Sequence, residues 1–188
     1  MASGTVIGLW RWPVAGMRGE QLTSTRIDVR GVAGDRVHRI GSPPTPPDPR
    51  LAHWSATYPF TPDGAIDPDN PPYPNVHAPD GGEVLRWADP WLDHALKRDL
   101  GRPVHSVRDL TASRGVIVAT ELPPEPALAG VNVQLDVDPP EGGWSGTVLS
   151  FEHGVRLRML TSRADGPGIE TLVLAGGRLQ LGEVVALG

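Results

Sequence analysis

Short apolar runs closed by Gly, Pro or Asp recur along the whole chain. In VNVQLDV the alternation is strict. Val131, Val133, Leu135 and Val137 fall on one face, and Asn132, Gln134 and Asp136 on the other, the period-two signature of a half-buried strand. The same reading predicts strands at 5–11, 21–30, 36–40, 83–86, 104–107, 115–120, 131–137, 146–151, 155–161, 169–174 and 178–186. FEHGVRLRML reads as a hairpin turning near His153–Gly154. One segment has helical period: in ADPWLDHALKRDLGRP, Leu92, Ala95, Leu96 and Leu100 recur every three to four residues. Asp89 suits the N-cap, Pro90 the first helical position, and Gly101 the residue after the last turn. Residues 43–74 break the pattern. They hold eleven of the 21 prolines but also Trp54, Tyr58, Phe60 and Tyr73, and the aromatics argue for an ordered cover over one end of the fold. The expected fold is a single domain over 1–188, mainly β, with a closed or nearly closed mixed β-barrel, one helix near 90–100, and 43–74 as a Pro-rich cover loop.

Composition narrows the chemistry. The 188-residue chain has no cysteine, which removes thiolate and persulfide catalysis, disulfides and Cys-ligated metal. Lys97 is the sole lysine among 17 basic residues, so any Schiff base would have to use it. The six histidines are all at least eleven positions apart, which leaves no HxxxH-type metal motif. A net charge of −5 gives no sign of a nucleic-acid partner. No apolar run is long enough for a membrane helix. Residues 1–12 lack the basic and long apolar regions of a secretion signal, and the expected compartment is the cytoplasm.

Longer stretches carry a resemblance. VIGLWRWPVAGMRGEQLTSTRIDVRGVAGDRVHRI resembles the N-terminal segment of MOSC-domain proteins, the family named for the C-terminal domain of molybdenum cofactor sulfurase. Pro13-Val14, Gly19-Glu20 and Gly31-Val32-Ala33-Gly34-Asp35-Arg36 match its pattern. DPWLDHALKRDLGRPVHSVR, GVNVQLDV, WSGTVLSFEHGVRLRMLTSRADG and GGRLQLGEVVAL resemble its later segments in order. The resemblance implies the MOSC-type barrel and, in the family, a molybdenum-pterin ligand. Two departures stand against that ligand here. Ala15-Gly16 replaces the family's Lys-Ser, and Thr161-Ser162-Arg163-Ala164-Asp165 occupies its cysteine segment. No cofactor is therefore expected, with molybdenum-pterin the alternative that the family supplies.

Candidate site residues follow from chemistry and position. Arg36 beside Asp35 suits an anion-binding guanidinium held by a carboxylate. His38, two positions on, would share a strand face with Arg36 and serve as general acid or base. Asp35, Arg36 and His38 are the expected catalytic group. Arg18 in its glycine-flanked turn, Asn132, Ser162, Arg163 and Asp165 are the expected ligand-binding group, and no metal site is expected. Each has a plain structural alternative: a turn aspartate, an exposed strand pair, a loop arginine, an outward asparagine. The expected function is binding and transformation of a small anionic or polar metabolite by non-covalent acid/base or electrostatic catalysis, such as cyclisation, elimination or isomerisation. The arginine bias points to a high-GC bacterium, where specialised metabolism is a fitting context. The alternatives are a non-catalytic metabolite or pterin carrier, and a molybdenum-cofactor protein lacking the cysteine ligand. The expected partner is a small molecule; the sequence sets no oligomeric state.

Overall fold

The computed structural model describes residues 2–41, 47–59, 66–111, 115–122, 130–138, 143–164 and 166–188. In chain order its strands are β1 (Ser3–Arg11), β2 (Glu20–Gln21), β3 (Ser24–Asp28), β4 (Gly31–Val32), β5 (His38–Ile40), β6 (Ser55–Thr57), β7 (Asn75–His77) and β8 (Val84–Arg86). After helix α1 (Pro90–Leu100) come β9 (Ser106–Arg108), β10 (Val116–Ala119), β11 (Val133–Val137), β12 (Val148–Phe151), β13 (Arg156–Ser162), β14 (Ile169–Ala175), β15 (Gly177–Gln180) and β16 (Val184–Leu187).

The largest sheet runs β11-β10-β14-β13-β12-β16-β1-β2, and β1 also pairs with β11. Seven strands thus form a closed cycle, which removes exposed edges. The β10–β11 pair is parallel and the β1–β11 pair that completes the cycle is antiparallel, so the sheet is mixed. Its inner face follows the period-two pattern: Val133, Leu135, Leu157, Met159 and Leu149 are buried in one apolar cluster. Burying each such side chain contributes about 1.5–3 kcal/mol.

Three smaller sheets, β15-β3-β4, β5-β9 and β6-β7-β8, complete the strands. The expected strand at 178–186 is two strands, because Gly182 at φ +80 turns the chain between β15 and β16. The helix has the expected caps. The Asp89 side chain accepts from the Trp91 N–H, and Gly101 at φ 66 donates its N–H to the Lys97 carbonyl. Its buried face, Leu92, Ala95, Leu96 and Leu100, joins a second apolar cluster.

That second cluster revises the reading of 43–74 as only a cover. Residues Pro49–His53 form a 3-10 turn, β6 follows, and Leu51, Trp54 and Ala56 are core residues of the cluster. Phe60 lies outside the described residues. The opening stretch joins the two cores. Leu9 packs in the closed sheet, while Val14 and Met17 pack with the helix. A Cβ at Gly8 would lie 2.0 Å from the Trp10 ring, so any side chain there requires the indole to move.

Candidate functional site

The turn between β4 and β5 lies where the two cores meet. Arg36 N–H donates to the Trp12 carbonyl, His38 N–H to the Pro13 carbonyl, and Ala15 N–H to the His38 carbonyl. These bonds lay the Gly34–His38 backbone along the 12–15 segment. Arg36 sits at φ +50, the sole non-glycine residue at positive φ among the described residues. That conformation is disfavoured for an L side chain and persists where surrounding contacts over-determine it.

The contacts are specific. Asp35 has a fully buried side chain, whose Oδ1 accepts from the Trp12 N–H at 2.8 Å and whose Oδ2 accepts from Arg36 Nε at 2.6 Å. Arg36 Nη2 donates to Asn132 Oδ1 at 3.2 Å. Asn132 is itself fully buried. Its Oδ1 also accepts from the Ile117 N–H at 3.1 Å, and its Nδ2 donates to the Trp10 carbonyl at 3.4 Å. One amide therefore ties β1, β10, the start of β11 and Arg36 together. The Arg36 side chain keeps a quarter of its surface exposed. It is a fixed guanidinium at the surface with a buried acceptor on each side.

The structure brings together Asp35, Arg36 and Asn132, and separates the others. His38 does not share a strand face with Arg36, because β5 begins at His38 and the positive φ at Arg36 breaks the extended alternation. His38 is fully buried, Nδ1 lies 3.3 Å from the Pro13 carbonyl oxygen, and the ring packs edge-on to Trp87 at 4.9 Å between centroids, with Tyr58 and Tyr73 beyond. It is a core residue, not an exposed strand residue. Arg18 is exposed and donates from Nε to the Ala52 carbonyl at 3.0 Å, alongside β6. Ser162 ends β13 and is exposed. Arg163 lies by the Gly130 backbone, where a Cβ would meet its guanidinium at 3.2 Å, two residues before Asn132. Asp165 lies outside the described residues.

Arg11, Glu20 and Tyr58 are the residues that sequence reasoning missed. Arg11 is almost wholly buried, pairs with Glu20 at 2.6 Å, and stacks over the Tyr58 ring at 4.8 Å. Tyr58 donates its hydroxyl to the Gly34 carbonyl at 2.8 Å, one residue before Asp35. The available signal was Arg11 itself: a charge between two buried tryptophans needs a partner. Burial pushes the Tyr58 phenol well above its ordinary value of 10; Arg11 pulls it down, and Asp35 and Glu20 push it up. A raised folded-state value means stability is complete below pH 10 and falls as pH rises beyond it. Tyr58→Phe is expected to flatten the alkaline arm of a plot of unfolding free energy against pH. An unchanged arm would remove Tyr58 as its source.

Two cavities border these elements. A small one is lined by Asp28, Arg30, Gly34, Asp35, Pro68 and Leu110, among others. A larger one lies by the helix. Neither is lined by Arg36, His38 or Asn132.

A thiolate-anchored molybdenum-pterin does not fit the donor set. Hydroxyls and an arginine stand at Thr161, Ser162 and Arg163, and the chain has no thiol. Gly16 is at φ +86 with its Cβ position 2.4 Å from the Pro47 Cβ, so a side chain there is strained and requires Pro47 to shift. Among the described residues no three His, Asp or Glu side chains gather into a metal-binding group.

Fold and site together define a mainly β protein with a closed mixed sheet, a second helical core, and a clamped arginine where they meet. No family model matches the chain, and no curated protein matches it. Among solved structures it is similar to the crystal structure of the YuaD protein from Bacillus subtilis, at 11% identity and a TM-score of 0.50, over 100% of this chain and 98% of that one. At that identity the likeness is one of fold.

Proposed function

We propose that this chain is a MOSC-like protein that binds a small anionic metabolite through Arg36. The observation that carries the reading is the clamp on that residue. Its backbone is held in a disfavoured conformation, and buried Asp35 and Asn132 fix the guanidinium with part of its surface in solvent. Holding a guanidinium in one orientation spends its rotamer entropy before a ligand arrives, so less is lost on binding. The positive charge the guanidinium presents toward solvent suits a carboxylate or phosphate. Binding is favoured over turnover because His38, the expected proton carrier, is sealed among aromatic rings. With no thiol, thiolate and persulfide chemistry are excluded.

Two replacements at one position separate binding from backbone strain. Arg36→Gly removes the guanidinium and relieves the positive φ; Arg36→Ala removes it and keeps the strain. Both are expected to lose at least about tenfold in affinity for glycerol phosphate in calorimetric titration, a change of about 1.4 kcal/mol. The glycine variant should be more stable than the alanine variant in urea by about 1 kcal/mol. Undiminished binding of this probe by both variants would overturn the reading.

A further inference from the structure

The larger cavity is lined by residues of α1, the β7–β8 hairpin and Trp54, and not by Arg36. It is a cleft of about 400 Å³, within the size range of small-molecule sites. Trp54, Pro79, Leu85 and Ala95 give it an apolar floor, and Glu83, Arg98 and Asp99 give it a charged rim. Its wall is built rather than incidental. Trp54 is buried, and its indole Nε1 donates to Asp99 Oδ2 at 2.7 Å. Arg50 Nη1 donates to the Asp99 carbonyl at 3.3 Å, which fixes the end of the helix over the 3-10 turn.

The rim charges are not spent on one another. Among the described residues no ion pair joins Arg98 to Glu83 or to Asp99. A cleft with separated carboxylates and a guanidinium around an apolar floor complements a molecule of matching layout. That molecule has an ammonium for the carboxylates, a carboxylate for the guanidinium, and an apolar body for Trp54 and Leu85. We propose that this cleft is a second binding site, for a small zwitterion with an apolar body, of amino-acid or dipeptide size. Glu83 holds the ammonium, Arg98 takes the carboxylate as a two-pronged hydrogen-bond partner, and Asp99 positions the Trp54 floor. The site is independent of the anion site at Arg36.

The test is calorimetric titration of the full chain with the dipeptide Leu-Leu, its N-acetyl derivative and its C-terminal amide. The dipeptide is expected to bind saturably, and each derivative at least about tenfold more weakly, since each leaves one rim charge without its counterpart. Glu83→Gln should abolish discrimination against the N-acetyl form, and Arg98→Gln discrimination against the amide. Both side chains are exposed, so both variants should fold. Arg36→Gly should bind the dipeptide as the parent does, which keeps this site separate from the other. The proposal is overturned if no form of the peptide binds saturably, if all three bind alike, or if the two rim variants keep the parent's discrimination.

Discussion

Asp35→Ala is expected to destabilise the protein by about 3 kcal/mol, measured as a shift of the urea unfolding curve. The carboxylate is fully buried and serves two donors, the Trp12 N–H at 2.8 Å and Arg36 Nε at 2.6 Å. Alanine strands the first inside the protein, at a cost of about 1–3 kcal/mol. It also takes the partner from Arg36, but that side chain is a quarter exposed and water recovers part of the loss. Asp35→Asn keeps an oxygen for the Trp12 N–H and gives up the charge, so it should cost about 1 kcal/mol. The ordering of the two variants is the informative result. Equal losses would mean that the charge, not the hydrogen bond to Trp12, holds the turn. A loss below about 1 kcal/mol in both would mean that the turn stands without Asp35.

The second large effect is expected at Gly16. Gly16→Ser should cost about 2–4 kcal/mol. Part of this is backbone strain at φ +86, and the rest is the approach of a Cβ to within 2.4 Å of Pro47 Cβ. Gly182→Ser separates the two parts. Gly182 is at φ +80 with no atom within 4 Å of its Cβ position, so it pays strain alone, about 1 kcal/mol. Matching losses at the two glycines, measured by urea unfolding, would show that Pro47 yields and that the fold does not forbid a side chain at 16. The expected excess at Gly16 would follow from the packing of its neighbours Val14 and Met17 in the second core.

Local patterning made much of the architecture legible. The alternation in VNVQLDV needs no partner to be read, and β11 buries Val133, Leu135 and Val137 as expected. The caps of α1 and the hairpin after Phe151 rest on the backbone preferences of Asp, Pro and Gly within a few residues. The absence of a thiol was decided by composition alone. Tertiary structure decided which polar side chains went inside. Asn132 falls on the polar side of its pattern, yet it is buried because Trp10, Ile117 and Arg36, up to 122 positions away, satisfy its amide. His38 reads as an acid or base beside Arg36, or else as an exposed strand residue, yet three aromatic rings enclose it, two of them from 58 and 73 in the proline-rich stretch. Proline hides periodicity, so that stretch showed no sign of the strand and 3-10 turn that bring Leu51, Trp54 and Ala56 into the second core. Period and turn chemistry are properties of neighbouring residues and were present in the sequence. Burial of a polar group depends on partners that only the folded chain brings within hydrogen-bonding distance.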